Sequence, residues 1–436
     1  MRTDVTIPSP AHPAGASDMD AFIARATAFL EASATRRAVE HAVEWGAGPD
    51  RITYFGDDSH EVAAAKVEQA RAWQKTRYEA GFGWITGPPE FGGLGLTPVH
   101  DLVYDGLEAQ YDVPDTAVLS LIGLGMIGPT ILAHGTEETR AHFLPRMYAG
   151  EVIACQLFSE PSAGSDLANV STRAVRDGDD WVLNGQKVWT SVAQHAHVGL
   201  ALCRTNPDQP KHKGITAFLV DMSAPGVEIR PLRQMSGGDE FNEVFLTDVR
   251  VPDSRRLGDV DGGWRVALTT LMNERASVGS EGAGPAARAI SLPFLTALLK
   301  ANGRLDDPVA RRRLAELYAD QAATEYLNRQ ALNRLREGGQ PGPEASVSKL
   351  MYAQNITRGT HFATEVVGPR LLADTGQWGT FSWNELLLST PALRILGGTE
   401  DIMKNILGER ILGLPKEPST DATTPYRDLR TSGSQA

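Results

Sequence analysis

The spacing of apolar residues changes twice along this chain, and that change limits the possible folds more than any other feature. From about 20 to 150, apolar residues recur at threes and fours, as in AFIARATAFLEASA, which predicts amphipathic helices. Between 151 and 260, short runs of strand-forming residues alternate with turn residues, which predicts antiparallel strands. Helical spacing returns at 261 and continues to about 415.

The order of helices, strands and helices predicts an α+β chain of three domains. We expect an N-terminal α-helical domain at 20–150, a middle antiparallel β barrel or sandwich at 151–260, and a C-terminal α-helical bundle at 261–415. The two ends, 1–19 and 416–436, have the composition of loose segments, and we expect them to be disordered tails.

Local signals predict several element boundaries. Asp177-Gly178 and Asn184-Gly185 are dipeptides typical of tight hairpin turns, so each is expected to join two strands. Thr136 stands directly before a helical run and is a predicted N-cap, because its hydroxyl can accept a hydrogen bond from a free backbone N–H of the first turn.

Composition narrows the classes of function. The formal net charge of −12 argues against a nucleic-acid-binding protein, because such a protein needs a basic face for the phosphates. The cysteines Cys155 and Cys203 lie far apart and outside any C-x-x-C pattern, which favours a reducing compartment, the cytoplasm. The apolar segment 116–133 contains glycines and a proline, so we expect a buried helix broken in the middle and no membrane span.

Two short motifs carry little functional information. GLGMIGP at 123–129 contains G-x-G-x-x-G, but no βαβ alternation follows and Gly135 stops any long helix, so close helix packing explains the glycines better than a dinucleotide fold. His195 and His197 have no Asp, Glu or Cys at ligand spacing nearby, so no metal site is predicted.

The loop SEPSAGSD at 159–166 follows the predicted strand VIACQLF. Its small residues leave backbone N–H groups accessible and its hydroxyls add further donors, which is a chemistry suited to phosphate. Taken alone, an ordinary polar turn is the simpler interpretation of this loop.

Six long motifs follow one another along the chain between about 80 and 415. They are GWITGPPEFGGLGLTP, GTEETRAHFLPRMYAGE, SEPSAGSD, NGQKVWTS, MSGGDEFNEVFLTDVRVP and GGTEDIMKNILGERILGLP. Together they give the chain a resemblance to the acyl-CoA dehydrogenases. Their length and order make the resemblance specific. It implies the fold of that family, with FAD between the β domain and the C-terminal helices and an acyl-CoA substrate stacked against the flavin.

The resemblance assigns contacts with FAD to residues of the matching motifs. Those of SEPSAGSD would hydrogen-bond to the flavin or hold phosphates, those of NGQKVWTS would cover the flavin, and those of the C-terminal motif would reach FAD from a turn. The residues are Phe158, Ser159, Gly164, Ser165, Trp189, Ser191, Thr399 and Asp401. Ser165 would also contact the substrate.

The reaction that the resemblance implies needs a base for the α-proton of the thioester. Many members carry a Glu before the Gly-Thr of the C-terminal motif, but this chain has Gly397 there, whose backbone N–H would bind the thioester oxygen. A second group of the family carries the Glu on a helix directly before an Arg, which matches Glu274 and Arg275.

Glu274 is therefore the predicted base, with Arg275 as its charged neighbour at the substrate. An apolar site would suit this role, because it would raise the pKa of the carboxylate toward the working pH. The alternative is that Glu274 stands at the start of a helix and is favoured there by the helix dipole.

Two departures from the family concern contacts with the FAD of a neighbouring subunit. LLKANGRLDDP at 298–308 replaces an Arg-x-x-Phe-Gly motif, and EVVGPRLL replaces Gln-x-x-Gly-Gly. The second places Glu365 at the Gln position and Gly368 at a Gly position, and both are assigned to the cofactor site. Because Glu365 would repel a pyrophosphate, we expect Arg304 or Lys300 to pair with it.

The predicted function is that of an FAD-dependent acyl-CoA dehydrogenase in fatty acid metabolism and lipid degradation, with electrons passing to an electron-transfer flavoprotein. The resemblance implies a homo-oligomer, a dimer or tetramer, and a hetero-oligomer is the alternative. A related flavin oxidase or monooxygenase and a non-catalytic partner subunit are the competing functions. The moved base hints at a branched, long or bulky acyl chain.

Overall fold

The computed structural model has helices in its first and last parts and a β-sheet between them, which confirms the predicted α+β fold. The domain limits that the sequence suggests stay a prediction. The described residues are 16–37, 45–47, 50–52, 54, 59–278, 285–336, 342, 345–418 and 422–429.

The first part of the chain is helical and packs around a small aromatic core, in which the rings of Phe82 and Tyr104 stack with centroids 5.0 Å apart. The predicted N-cap is confirmed, because Thr136 Oγ1 accepts from the backbone N–H of Thr139 at 3.2 Å. The elements are α1 Ala16–Ser33, β1 Thr35–Arg36, α2 His60–Glu79, α3 Pro98–Glu108, β2 Tyr111–Asp112, α4 Ala117–Leu119, α5 Gly128–His134 and α6 Glu137–Tyr148.

A π-helix, Ser120–Ile127, joins α4 to α5, so the apolar segment is helical throughout and the predicted break is wrong. Pro129 lacks an N–H and its ring crowds the preceding turn, and the wider π-turn relieves that crowding. A Cβ on Gly128 would lie 2.8 Å from Tyr148 Oη, so this glycine serves close packing. Within the described ranges, 117–134 is the one stretch long and apolar enough to cross a membrane, and 44% of it is buried.

An eight-stranded sheet forms the middle of the chain. Its spatial order is β10-β7-β6-β4-β5-β9-β8, with β3 beside β6. The pairs β3–β6 and β4–β6 are parallel and the others are antiparallel. The strands are β3 Ala154–Leu157, β4 Arg173–Asp177, β5 Asp180–Ser191, β6 Val198–Arg204, β7 Ile215–Asp221, β8 Val227–Leu232, β9 Phe241–Pro252 and β10 Arg256–Leu257.

The first predicted hairpin turn is confirmed and the second is wrong. Asp177-Gly178 lies in the turn between β4 and β5, but β5 runs straight through Asn184-Gly185. A Cβ on Gly185 would lie 2.4 Å from Thr172 Oγ1, and the register of β5 against β9 shifts at this point. The glycine therefore permits a close approach at a bulge and does not form a turn.

The last part of the chain is a bundle of helices. Its central helix, α11, lies against α7, α9, α10, α12 and α13. Trp383 is fully buried in the bundle core. The helices are α7 Gly263–Val278, α8 Pro285–Ala289, α9 Leu292–Ala301, α10 Pro308–Arg336, α11 Ala345–Val367, α12 Trp383–Leu393 and α13 Glu400–Arg410.

Helix α7 connects the sheet to this bundle. It begins against β7, where a Cβ on Gly263 would lie 2.7 Å from the carbonyl carbon of Thr216. Val266 and Ala267 join the core that the sheet shares with the π-helix and α6. The same helix contacts α11, so α7 links the sheet to the central helix of the bundle.

Residues 422–429, which fall in the predicted disordered tail, lie against the β-sheet. Tyr426 N donates to Gln209 O at 2.9 Å, and the guanidinium of Arg204 lies 3.9 Å from the centre of the Tyr426 ring. Arg427 pairs with Asp208 at 2.9 Å. A cation–π contact and an ion pair thus hold a segment whose composition predicts no structure.

Candidate active site

A fully buried ion pair organises the SEPSAGSD loop. Lys187 Nζ lies 2.8 Å from Glu160 Oε1 and also donates to the carbonyls of Phe158 and Leu202 at 3.1 and 2.7 Å. Lys187 belongs to β5 and Glu160 to the loop after β3. The ammonium therefore fixes the two motifs against each other.

The carboxylate of Glu160 is fully hydrogen-bonded. It accepts from the backbone N–H and hydroxyl of Ser171 and from the N–H of Thr172, at 2.7 to 2.9 Å. Burial alone would raise the pKa of Glu160, but Lys187 and these hydrogen bonds bring it down to about 2. Gly164 and Ser165, further along the same loop, are exposed. The loop thus has an anchored start and an open tip.

Trp189 is an exposed aromatic residue in an unusual backbone conformation. Its φ is 60°, its side chain is 56% exposed, and the pairing of β5 with β9 is irregular between Lys187 and Thr190. Such strain costs about 1–3 kcal/mol and is concentrated at functional sites. Val188 N donates to Ser159 O at 2.9 Å. The structure therefore brings Trp189 beside Ser159.

Two other residues predicted to contact FAD, Phe158 and Ser191, also lie on the sheet side of the site. The side chain of Phe158 is buried in the core, so only its backbone is available to a ligand. Ser191 ends β5 and is half-buried. Beside Trp189, the buried atoms Thr190 Oγ1 and Asn242 Oδ1 have no hydrogen-bond partner among the described residues, and the two residues pair across β5 and β9.

Glu274 lies about three turns into α7 and is half-buried. It is therefore not at a helix start, and the helix-dipole interpretation is wrong. The backbone of Arg275 belongs to the same helix, but its side chain lies outside the described residues.

The C-terminal motif forms a turn between α12 and α13. Gly397 and Gly398 have φ of 62° and 92°, which are left-handed values that favour glycine. Thr399 is the N-cap of α13 and accepts from Ile402 N at 3.2 Å. Asp401 is exposed and lies 3.5 Å from Lys404. Of the predicted contacts, Gly397 and Thr399 therefore lie in this turn, and Asp401 follows in the first turn of α13.

Sequence reasoning missed the buried Lys349 of α11, which is hydrogen-bonded to this turn. Its Nζ donates to Leu393 O and Gly398 O, both at 2.9 Å. Burial lowers the pKa of Lys349 to about 8, while the charges of Glu400 and Glu274 act in the opposite direction. A lone Lys in the helical run ASVSKLMYA was the available signal, but its partners are distant in the sequence.

Glu365 and Gly368 lie at the end of α11. Glu365 is exposed and pairs with Arg313 of α10, not with Arg304 or Lys300 as predicted. Arg304 instead pairs with Asp307 at 2.6 Å and donates to the backbone carbonyl of Glu365 at 3.3 Å. The side chain of Arg313, which lies nine positions after Arg304, reaches Glu365 because α10 and α11 are neighbours. Gly368 has φ of 63° and open space around it.

The predicted site residues therefore form two groups and a separate pair. One group lies on the sheet around Ser159 and Trp189, and the second lies where α7, α11 and the turn before α13 meet. Glu365 and Gly368 lie apart, at the other end of α11 from Lys349.

Models of known families match nearly the whole described chain. The N-terminal, middle and C-terminal domains of acyl-CoA dehydrogenase match residues 50–151, 155–249 and 261–412. These matches follow the order of helices, strands and helices.

Curated relatives carry the same family name. The acyl-CoA dehydrogenase IpdE1 of Mycobacterium tuberculosis is 38% identical over 355 residues, which are 80% of this chain and 89% of IpdE1. The acyl-CoA dehydrogenase FadE34 of the same organism is 40% identical over 403 residues, which are 91% of this chain. The chain spans about half of FadE34, since the match covers 52% of that protein.

Solved structures show the same architecture. The structure described as the Tcur3481-Tcur3483 steroid ACAD superimposes with a TM-score of 0.72 at 26% identity, covering 93% of this chain and 100% of that one. The fold, the three domain models and the similarity to IpdE1 over most of both chains agree, and the chain belongs to the acyl-CoA dehydrogenase family.

Proposed function

We propose that this chain is an FAD-dependent acyl-CoA dehydrogenase that forms an α,β-unsaturated thioester, with Glu274 as the base. The observation that carries the proposal is the position of Glu274, a half-buried carboxylate of α7 whose charge acts on Lys349. Lys349 is in turn bonded to the turn of Gly397 and Gly398. A base and a backbone donor for the thioester oxygen are thus supplied from neighbouring elements.

The sheet-side group fits a flat ring cofactor. Trp189 offers an exposed aromatic face, and the orphaned polar atoms of Thr190 and Asn242 lie on the strands beside it. Unpartnered buried polar atoms in a native structure call for a ligand or water. No neighbouring atom lies within 4 Å of where a Cβ of Gly164 would be, so the loop backbone is accessible to a phosphate. Ser159, Ser165, Ser191, Thr399 and Asp401 are the further residues that we assign to FAD.

The residues of this chain have defined tasks in the proposed reaction. Glu274 accepts the α-proton of the acyl-CoA thioester, and the N–H of Gly397 donates to the thioester oxygen, where negative charge develops. Bound FAD supplies the acceptor for the β-hydrogen, which leaves as hydride. Ser165 and Arg275 hold the substrate. An electron-transfer flavoprotein would be the partner that accepts the electrons.

We infer a bulky acyl group as the substrate class. The superimposable Tcur3481-Tcur3483 protein is described as a steroid ACAD, and the base of this chain comes from α7 and not from the turn before α13. A base on a different element changes where the acyl chain can lie, which suits a ring-bearing or branched thioester.

A hetero-oligomer is a second candidate for the working assembly. FadE34 is about twice as long as the part that this chain matches, and the name Tcur3481-Tcur3483 joins two products. We favour a homo-oligomer, because Arg313 already neutralises Glu365 within the chain and removes the repulsion that would exclude a pyrophosphate.

The test is anaerobic reduction of the bound flavin by a panel of straight-chain, branched and steroid-side-chain acyl-CoA thioesters. The proposal predicts bleaching of the flavin by at least one thioester in the wild type and its loss in Glu274→Gln. Absence of reduction by every member of the panel would count against the dehydrogenase.

A further inference from the structure

Lys349 is the most deeply buried charge near the proposed base, at 1% exposure. Its ammonium joins two points that flank one turn, the carbonyl of Leu393 at the end of α12 and the carbonyl of Gly398 just before α13. The intervening residues include Gly397, whose N–H is assigned to the thioester oxygen. The orientation of that N–H therefore depends on a turn that Lys349 holds at both ends.

A purely structural role does not require a charge at this position. Two backbone carbonyls need only neutral donors, and burying an ammonium costs free energy unless other charges compensate for it. The compensating charges here are two carboxylates on different elements, Glu274 of α7 and Glu400 of α13. Glu400, whose charge acts more strongly on Lys349 than that of Glu274, is also paired with Arg394 at 3.0 Å.

The turn itself leaves little freedom once Lys349 is bound. A Cβ on Gly398 would lie 2.4 Å from Met403 Cε, so α13 packs directly on the turn. With Gly397 and Gly398 in left-handed conformations, rotation of either peptide would break the bond from Lys349. The donor is thus preorganised before any ligand binds.

We propose that Lys349 is a positioning residue for the reaction: its ammonium fixes the Gly397–Gly398 turn and places a positive charge on α11, which lies against α7, the helix of the proposed base Glu274. This inference rests on the proposed function for the identity of the reaction only. Among the described residues, the charges that act on Lys349 are Glu400 of α13, which is paired with Arg394, and Glu274 of α7.

The experiment compares Lys349→Met, which removes charge and donors, with Lys349→Gln, which removes the charge and keeps an amide donor. Thr360→Val is the matched control, because Thr360 is buried on the same helix and its hydroxyl donates to Ile356 O within that helix. Two quantities are measured on the FAD-loaded protein: the pH profile of flavin reduction by the fastest thioester of the panel, and hydrogen exchange of the backbone at 394–401.

Loss of the positive charge disfavours the ionised form of Glu274, so the acid limb of the profile should move up by roughly one pH unit in both Lys349 variants. At pH values below the acid limb, the rate of flavin reduction should fall about tenfold relative to the wild type, and above the limb it should change little. Exchange at 394–401 should be fastest in Lys349→Met and slower in Lys349→Gln. Thr360→Val should match the wild type in both measurements.

An acid limb that stays at its wild-type pH in both Lys349 variants overturns the inference, because a structural role alone would leave the profile in place. If no thioester reduces the flavin of the wild-type protein, the proposed function fails, and hydrogen exchange alone tests the positioning role. In that case, exchange at 394–401 in Lys349→Met equal to that of Thr360→Val overturns the positioning role, and faster exchange supports it.

Discussion

Two buried lysines hold the two parts of the candidate site. Lys187 donates to the carbonyls of Phe158 and Leu202 and pairs with Glu160, and Lys349 donates to the carbonyls of Leu393 and Gly398. An ammonium has three donors and a long stem, so it can join segments that are far apart in sequence. Carboxylates beside each lysine compensate for the buried charge.

At the residue scale, Lys187→Met should strongly destabilise the fold. The substitution leaves Glu160 as an unpaired buried carboxylate, which costs about 3–5 kcal/mol. Urea unfolding at neutral pH measures the loss, and Lys75→Met, at an exposed ion pair with Glu79, is the control and should change stability by less than about 1 kcal/mol.

This deficit should depend on pH. The pKa of Glu160 is lowered to about 2 in the folded chain, against an ordinary value of 4.5. Its stabilisation of the wild type is therefore present above pH 4.5 and is lost as the pH falls toward 2. The deficit of Lys187→Met should shrink over that range, and a small or pH-independent deficit would contradict the role of the pair.

At the element scale, periodicity predicted what local sequence determines. The change from helices to strands, the N-cap Thr136 and the Asp177-Gly178 turn depend on neighbouring residues only. The turn predicted at Asn184-Gly185 was wrong because a glycine is equally suited to a turn and to a close approach of two segments. Only the contact with Thr172, which is distant in the sequence, distinguishes the two. Lys349 was missed for the same reason, since the carbonyls it binds are more than forty positions away.

Gly185→Ala tests this explanation of the bulge. The new Cβ would lie 2.4 Å from Thr172 Oγ1 and 2.7 Å from Thr172 Cα, so the strand or its neighbour must shift, at a cost of about 1–3 kcal/mol. Gly164→Ala is the control, because open space surrounds that position. Equal thermal unfolding midpoints for the two variants would contradict the close-approach interpretation.

At the scale of the whole molecule, several contacts tie distant parts of the chain together. Helix α7 begins on the sheet and also contacts α11. Tyr426, in the segment 422–429, contacts Arg204 of β6. The sheet-side group and the bundle-side group therefore belong to one connected framework. The sequence predicted the residues of both groups through the family resemblance, but not the charges that hold them.

The assembly should be a homo-oligomer that binds FAD without a partner chain. Arg313 neutralises Glu365 within the chain, so no second kind of subunit is needed to screen that charge. The mass and flavin content of the chain purified alone measure this directly. A protein that takes up FAD only after a homologous subunit is added would overturn the expectation and favour the hetero-oligomer.

The central claim is that Glu274 is the base, and the most direct test is single-turnover flavin reduction in Glu274→Gln. The amide is nearly isosteric, so the variant should keep its fold and bound FAD. It cannot accept the α-proton, so reduction should slow by about a thousandfold. Glu325→Gln, at an exposed carboxylate of α10, is the control and should reduce at the wild-type rate. Wild-type reduction by Glu274→Gln would contradict the account and direct attention to Glu400 or Asp401.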